Sequence, residues 1–248
     1  MCLTFARVHL LEEAIHSFLV QDYPGEKELV VLNDFSPQIL RFDHPEVTVI
    51  NLPVRFRTLG EKRNAAAALA RHDLLAVWDD DDIYLPHRLR FSADTYDPEK
   101  RFFKPIHGFQ LNNDVVSGPM RHVFHSGAMW HRSLFDEVGG YAHMGRGQDK
   151  EIERRFKKVV GPGMNYEEIK PAEIYYLYRW RGTHSYHNSG FAPGAEGSEA
   201  VLRYAYEHLD DGTIPAGEVE LHPAWRLDYA ALVTDHLAAA EPGTGTGA

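Results

Sequence analysis

The chain has 248 residues and a formal charge of −10, with 26 lysines and arginines against 36 aspartates and glutamates. The negative charge argues against a nucleic-acid backbone or an anionic membrane as the main partner. Its single cysteine, Cys2, excludes an internal disulfide and fits a reducing compartment. Arg7, Glu12 and Glu13 interrupt the first apolar stretch, so it lacks a signal-peptide core, and no apolar run is long enough to span a bilayer. We therefore expect a cytoplasmic protein.

The first hundred residues alternate between predicted strands and helices. A strand at 2–6 is followed by a helix at about 8–19, in which apolar residues recur at helical spacing until "DYPG" ends it. The next predicted elements are strands at 28–34 and 47–52, a helix at 60–73, a strand at 74–78 and a helix at 84–91. This alternation predicts an α/β fold with an open twisted sheet, mostly parallel and flanked by helices.

Beyond residue 100 the pattern predicts shorter elements. We expect strands at 122–131 and 172–180, and helices at 132–140, 148–159 and about 224–239. The segment 182–200 is rich in glycine, serine and alanine, which predicts a mobile loop that could close over a ligand. The tail at 241–248 should be disordered.

Four consecutive aspartates, Asp79 to Asp82, follow a buried strand in "AVWDDDDIYLP". If the chain stays extended there, Asp79 and Asp81 point one way and Asp80 and Asp82 the other. Ligands of open α/β sheets bind at the carboxyl ends of the strands. Paired carboxylates without neighbouring cysteine or histidine therefore predict a site for Mn²⁺ or Mg²⁺ that also takes phosphate oxygens and water. The alternative is a solvated turn in which one aspartate caps the following helix.

The succession "TFAR", "ELVVLNDFS", "GEKRNAAAALARHD" and "AVWDDDDIYLP" resembles family-two glycosyltransferases with the GT-A fold, over residues 2 to about 190. The resemblance implies one glycosyltransferase domain at 1–240, with a Rossmann-like nucleotide-sugar-binding half at 1–100, an acceptor-binding and catalytic half at 101–200 and a helical extension at 201–240. It further implies a hexosyltransferase-type enzyme that moves a sugar from a nucleoside-diphosphate sugar, with a UDP-sugar expected, to an acceptor hydroxyl with inversion.

The resemblance also implies roles for individual residues. The positions that match its donor site are Thr4, Arg7, Asp34, Arg63, Asp79, Asp80, Arg179 and Arg181. Of these, Thr4 and Asp34 would contact uracil and ribose. Asp79 and Asp81 match the Asp-x-Asp motif, with Asp81 as a direct metal ligand, although four aspartates allow the motif to shift by one residue. The further metal ligand would be His184 or His187.

The segment "GRGQDKEIERRF" matches the place where this family has its catalytic base, which makes Asp149 the candidate. Each assignment has a purely structural alternative. Asp149 could only favour a helix dipole, Asp34 could be a turn residue, and Arg63 could be surface charge. His122 and His125 form a pair with metal-like spacing, but no third ligand stands near them.

Two other functions compete with sugar transfer. A sugar nucleotidyltransferase would carry a glycine-rich phosphate loop after the first strand, and "TFARVHLLEE" contains no glycine. A non-catalytic nucleotide-sugar-binding protein of the same fold stays open as an alternative. The donor sugar, the acceptor and the oligomeric state cannot be predicted from these residues.

Overall fold

The computed structural model describes residues 1–121, 124–179 and 195–240. The helices in these ranges are α1 (Val8–Leu19), α2 (Leu59–Leu69), α3 (Arg88–Thr95), α4 (Arg132–Glu137), α5 (Gln148–Val160), α6 (Ala195–Asp210) and α7 (Tyr229–Ala240). Short 3-10 helices occupy His125–Gly127 and Pro171–Glu173. None of the helices in the described part of the chain is long and apolar enough to cross a membrane.

The strands give the fold its sheets. They are β1 (Cys2–Thr4), β2 (Leu29–Asn33), β3 (Gln38–Arg41), β4 (Val47–Asn51), β5 (Leu74–Ala76), β6 (Ile83–Tyr84), β7 (Phe102–Phe103), β8 (His107–Asn112), β9 (Val115–Arg121), β10 (Met129–His131), β11 (Tyr176–Arg179) and β12 (Gly217–Glu220).

The N-terminal sheet has the strand order β1-β2-β4, and all its pairs are parallel. Every residue of β2 is buried, as its unbroken apolar run predicts for a strand covered on both faces. In the register of β1 and β2, Thr4 lies beside Asn33, so the two strands end at the same edge. Asp34 follows β2 directly at that edge.

Parallel pairing does not extend through the whole structure. The sheet β5-β10-β7 is antiparallel, and in β6-β11-β8-β9 only the pair of β8 and β11 is parallel. The remaining pair, β3 with β12, is parallel. Of the eight strand pairs in the described residues, four are therefore antiparallel. The α/β class is confirmed, whereas parallel pairing is confined to the N-terminal sheet, the pair of β3 and β12 and the pair of β8 and β11. One reason is that β8 and β9 are joined by a tight turn, which allows only antiparallel pairing.

Several predicted element boundaries were wrong. The helix expected at 84–91 begins at Arg88, because Ile83 and Tyr84 pair with β11 as β6. The strand expected at 122–131 is confined, within the described residues, to β10 and is preceded by a 3-10 helix. The loop expected at 182–200 overlaps α6, which begins at Ala195. Residues 182–194 and the tail at 241–248 lie outside the described residues.

Helix α2 presents two basic residues to different environments. It begins with a capping box, in which Thr58 accepts a hydrogen bond from the Glu61 amide at 3.1 Å and the Glu61 carboxylate accepts one from the Thr58 amide. The alanine run that follows has high helix propensity. Lys62 is 2% exposed and points into the molecule, whereas the side chain of Arg63 is 11% exposed and reaches the acidic run.

A buried arginine fixes the end of β5, directly before the aspartates. The Arg88 guanidinium donates to the carbonyl oxygens of Val77 and, at 2.8 Å, of Ser126. It also lies over the rings of Trp78 and Tyr84, at 4.5 and 4.0 Å from the centroids. These contacts hold the β5 end, α3 and the 3-10 helix at His125–Gly127 together, so the backbone that carries Asp79 is firmly supported.

Candidate active site

The four aspartates alternate between accessible and buried side chains. The side chains of Asp79 and Asp81 are 25% and 22% exposed, whereas Asp80 and Asp82 are 1% and 4% exposed. The backbone makes a turn from Asp80 to Asp82 instead of staying extended. The predicted division into two pairs therefore agrees with the observed burial, although its assumed backbone geometry does not.

Arg7 forms ion pairs with two of these aspartates. Ala6 adopts a left-handed backbone with φ of 58°, and this turn brings Arg7 to the start of α1. The guanidinium contacts both oxygens of Asp80, including Nε to Oδ2 at 3.1 Å, and donates from Nη1 to Oδ2 of Asp81 at 2.9 Å. Burial raises the pKa of Asp80 to about 6, with Arg7 opposing the shift and Asp81 adding to it.

Asp79 is held as a carboxylate by two neighbours. Arg63 donates to its Oδ1 at 3.1 Å, and the Ser126 hydroxyl donates to its Oδ2 at 2.5 Å. Burial raises the pKa of Asp79, but Arg63 and Ser126 outweigh burial, and the pKa lies below its ordinary value. Sequence analysis missed Ser126, because nothing in "HVFHSGAMW" marks it as a partner of a residue 47 positions earlier.

Asp82 connects the acidic run to β11. Its Oδ2 accepts a hydrogen bond from the Tyr176 hydroxyl at 2.6 Å, and its Oδ1 accepts one from the Arg179 amide at 3.1 Å. Burial raises the pKa of Asp82 well above its ordinary value, and the neighbouring carboxylates of Asp81 and Asp79 add to the shift. Both oxygens are engaged by the scaffold, so Asp82 is placed to support the site.

A cavity of about 560 Å³ opens between the acidic run and the start of α5. Gly147, with φ of 77°, is the N-cap of α5 and allows the sharp entry into the helix, which a side chain at that φ would strain. Asp149 lies in the first turn and is partly exposed. The described lining residues are Leu3, Arg7, Leu59, Arg63, Asp79, Asp80, Asp81, Asp82, Ser126, Arg146, Gly147, Gln148, Asp149, Lys150 and Tyr178.

The cavity thus collects most, but not all, of the residues predicted for the site. Arg7, Arg63, Asp79, Asp80, Asp81 and Asp149 line it, whereas Thr4, Asp34 and Arg179 do not. Arg179 donates instead to Glu13 at 2.7 Å and to the Tyr229 hydroxyl at 3.3 Å. Arg181, His184 and His187 fall outside the described residues.

Asp34 is engaged by the scaffold at both oxygens. The Lys62 ammonium donates to its Oδ1 at 2.6 Å, and the Phe56 amide donates to its Oδ2 at 3.1 Å. Lys62 also donates to the carbonyl oxygen of Thr4 at 2.6 Å, and Thr4 itself is 2% exposed. In this arrangement Asp34 and Lys62 form a fully buried ion pair behind the cavity, and neither Thr4 nor Asp34 offers an accessible polar atom on its side chain.

The accessible carboxylates suit a hard divalent cation that shares its ligands with a phosphate. No group of three or more histidine, cysteine, aspartate or glutamate side chains in the described residues forms a ready-made metal site. The described residues engage only Oδ2 of Asp81, through Arg7, so its second oxygen can bind an ion. Mn²⁺ or Mg²⁺ would complete its shell with phosphate oxygens and water, as such ions do in nucleotide sites. The donor set therefore fits a metal that binds together with a nucleotide.

Residues 3–93 match the sequence profile of glycosyl transferase family 2. The resemblance to family-two glycosyltransferases is confirmed. The matched segment begins in β1 and includes Asp34, Arg63 and the whole acidic run, which are the residues on which the resemblance was based. No protein of curated function matches this sequence.

Solved glycosyltransferase structures share the fold over nearly the whole chain. One is a fragment of S. aureus TarS, 1–349, in complex with UDP-GlcNAc, with a TM-score of 0.59 and 18% identity over 95% of this chain and 70% of that one. Another is the mannosyltransferase PcManGT from Pyrobaculum calidifontis in complex with GDP-Man and Mn²⁺, with a TM-score of 0.53 and 16% identity over 98% of this chain and 79% of that one.

The longer S. aureus TarS structure has a TM-score of 0.53 and 14% identity, and it covers 96% of this chain but only 42% of that one. The chain therefore spans less than half the length of that protein. At such identities the likeness is one of fold, and it supports an α/β glycosyltransferase fold.

Proposed function

We propose that the protein transfers a sugar from a nucleoside-diphosphate sugar to an acceptor hydroxyl. The observation that carries the proposal is the cavity in which accessible Asp79 and Asp81 meet Asp149, at the carboxyl end of β5 and beside the segment that matches family two. Asp79 and Asp149 are 70 residues apart in sequence, and both line this cavity. A donor site and a proton acceptor in one cavity are what sugar transfer needs.

The donor diphosphate would be held beside Asp79 and Asp81. A divalent ion bound by these carboxylates would neutralise the charge that develops on the leaving nucleoside diphosphate. Arg7 and Arg63 hold the carboxylates in place through direct ion pairs at 2.9 and 3.1 Å. Both guanidiniums also reach the cavity, where they can donate to phosphate oxygens. UDP is proposed as the nucleotide because TarS binds UDP and UDP-GlcNAc, while PcManGT binds GDP-Man and makes GDP the alternative to test.

Asp149 is proposed as the base. The acceptor oxygen forms a bond to the anomeric carbon, the bond from that carbon to the diphosphate breaks, and its electron pair leaves with the nucleotide. The hydroxyl proton passes to the Asp149 carboxylate. An attack from the face opposite the diphosphate inverts the anomeric configuration, so we propose an inverting transferase.

A sugar nucleotidyltransferase fits the structure less well. The connection from β1 to α1 has three residues, Phe5 to Arg7, and none of them is glycine. Such a connection cannot wrap a triphosphate with successive backbone amides, as a glycine-rich phosphate loop does.

Titration calorimetry with UDP and with GDP, each with and without manganese, tests the donor site. We expect one nucleotide to bind, and manganese to strengthen that binding, because the ion joins the carboxylates to the diphosphate. Release of the nucleoside diphosphate from a panel of UDP- and GDP-sugars would then identify the donor. Failure of both nucleotides to bind, or an affinity that manganese leaves unchanged, would reject the proposed metal-dependent donor site.

A further inference from the structure

A buried polar network lies directly behind the cavity. It consists of Lys104, His125, Tyr141 and Glu153. Lys104 is fully buried, Tyr141 and His125 are 1% and 7% exposed, and the Glu153 side chain is 14% exposed. Such a set of polar groups is costly to bury unless each is paired, so its arrangement requires an explanation.

His125 is the centre of this network. Its Nδ1 lies 2.7 Å from Oε1 of Glu153, and its Nε2 lies 2.7 Å from the Tyr141 hydroxyl. An ionised carboxylate only accepts, so Nδ1 donates to Glu153, while Nε2 bonds to the Tyr141 hydroxyl. The second oxygen of Glu153 pairs with the ammonium of Lys104. Every member therefore has a partner.

One branch of the network anchors the helix that carries the proposed base. Glu153 follows Asp149 by four residues on α5, so the two side chains lie on one face, a single turn apart. Any rotation or slide of the first turns of α5 would move both. Because Glu153 is held by His125 and Lys104, Asp149 is held indirectly at the cavity wall.

A second branch leads to Asp79. Ser126, the neighbour of His125 in the chain, donates to Asp79 at 2.5 Å. A short 3-10 helix contains both His125 and Ser126, so a shift of the imidazole also shifts the hydroxyl.

A third branch runs through Tyr141 to α2. The amide nitrogen and carbonyl oxygen of Tyr141 bond to the Asn64 side chain at 2.7 and 2.9 Å. Asn64 is next to Arg63, which pairs with Asp79 and lies over the Tyr141 ring at 5.6 Å from its centroid. The helix is also packed tightly here, since a Cβ on Gly60 would come within 1.9 Å of the Ala142 carbonyl oxygen.

We propose that His125 is a positioning residue that fixes the proposed base Asp149 relative to the donor-site carboxylate Asp79. This inference rests on the proposed function. His125 is not among the described residues that line the cavity, so it acts through Glu153, Ser126 and Tyr141 and does not contact the reacting atoms. Misplacement by about 1 Å can cost a hundredfold in rate, so the rigidity of such a link affects turnover.

Two substitutions of similar size separate the branches. In His125→Asn the side-chain amide reaches about as far as Nδ1, so it can keep the bond to Glu153. In His125→Gln the amide reaches about as far as Nε2, so it can keep the bond to Tyr141 but not the anchor of α5. Both lose the imidazole and its stacking on Trp130, at 5.6 Å between centroids, so a general loss of packing affects them alike.

Hydrogen exchange and donor turnover are the two measurements. In His125→Gln we expect the backbone amides at 148–155 to exchange about tenfold faster. Turnover is measured as the release of UDP from UDP-N-acetylglucosamine in the presence of manganese, with water as the acceptor. It should fall about ten- to hundredfold. The affinity for UDP should not change, because glutamine keeps the bond to Tyr141, and the contacts of Asp79 with Arg63 and Ser126 do not use the His125 side chain. His125→Asn should stay close to the unmutated protein. Arg154→Gln is the matched control, since Arg154 is on α5 next to Glu153 but 63% exposed.

Equal exchange and equal turnover in His125→Asn and His125→Gln would overturn the proposal. So would a loss of UDP affinity that parallels the loss of turnover, because it would indicate a general collapse of the site. If His125→Gln does not fold, the double variant Lys104→Met, Glu153→Met removes the anchor without leaving an unpaired buried charge. Unchanged exchange at 148–155 in that variant would equally reject the anchoring. If the unmutated protein binds neither UDP nor GDP, the proposed function fails, while the exchange measurement still decides the role of His125 in α5.

Discussion

Six aspartates lie at the carboxyl ends of β2 and β5 or at the start of α5, and they form two groups of different character. Three have side chains accessible from the cavity: Asp79, Asp81 and Asp149. The other three are at most 4% exposed: Asp34, Asp80 and Asp82. In the buried group each carboxylate has partners at both oxygens, supplied by the scaffold. Residue type alone does not distinguish a site residue from a structural one. Burial does, whereas partners do not, because Asp79 also has partners at both oxygens.

This comparison has an energetic consequence. Where the partner of a buried carboxylate is a cation, as at Asp34 and Asp80, removing the carboxylate leaves a desolvated, unpaired charge, so the loss falls on folding. Removing an accessible carboxylate leaves the fold nearly intact, so the loss falls on metal binding or on chemistry. Substitution by asparagine keeps the shape and removes the charge, and it can therefore separate the two groups position by position.

The largest effect is expected at Asp149. Asp149→Asn should lower turnover by about two to four orders of magnitude, the usual contribution of a positioned general base. UDP affinity and melting temperature should change little, since no nucleotide or core contact is lost. Glu151→Gln is the matched control, because Glu151 is in the same first turn but pairs with Arg155 on α5 itself. If the two variants lose activity equally, the helix dipole explains the effect and Asp149 is not the base.

The next largest effect is expected on stability at the pair of Asp34 and Lys62. Burial lowers the pKa of Lys62, and Asp34 opposes that shift, so Asp34→Asn leaves a buried ammonium without its counter-ion. The free energy of unfolding should fall by about 3 kcal/mol or more in urea denaturation. Adding Lys62→Met should recover much of that loss. If Asp34→Asn instead leaves stability unchanged and weakens UDP binding, Asp34 contacts the nucleotide and the ion pair with Lys62 is not its main role.

Asp34 also illustrates how far the sequence could predict this molecule. The apolar runs of β1, β2, β4 and β5 and the helical spacing of α1 predicted the N-terminal half, in which β1 and β2 are fully buried. Strand β12, by contrast, has the sequence "GEVE" and is mostly exposed, so no apolar pattern marks it. The position of Asp34 after a strand was predicted correctly. Its partner Lys62 could not be foreseen, since it lies 28 residues away and lysines are seldom fully buried.

The same limit applies to the network behind the cavity. His125 was weighed as one of a histidine pair with His122, whereas the structure places it against Glu153 and Tyr141. These contacts join segments 28 and 16 residues apart, and neither residue type nor local spacing encodes them. For Lys62 the sequence does contain one indication of burial, although not of its partner. Lys62 precedes Ala66 by four residues on α2, which places both on the buried face of that helix.

A smaller effect is expected at Asp81, on metal binding. Asp81→Asn should remove the gain in UDP affinity that manganese provides, a loss of about ten- to hundredfold at saturating metal. UDP affinity without metal should be similar to that of the unmutated protein, because Asp81 would contact the ion and not the nucleotide. Asp73→Asn is a suitable control, as Asp73 precedes β5 at the opposite end and its side chain is 72% exposed. A full manganese response in Asp81→Asn would show that Asp81 is not a metal ligand.

The smallest effect is expected at Asp82, on stability. This substitution also tests which aspartates of the run form the metal-binding motif. Asparagine can still accept the Arg179 amide at Oδ1, and the Tyr176 hydroxyl can rotate to accept from the new amide group. Burial and the neighbouring carboxylates already disfavour a charge at Asp82, so its removal relieves repulsion and offsets the weaker hydrogen bonds. The net change should be about 1 kcal/mol or less, or about 2–4 °C in melting temperature, with the manganese response retained. If Asp82→Asn loses the manganese response and Asp81→Asn keeps it, the metal-binding motif is shifted by one residue, and Asp82 is the metal ligand in place of Asp81. It would also mean that the side chain of Asp82 turns into the cavity when the donor binds.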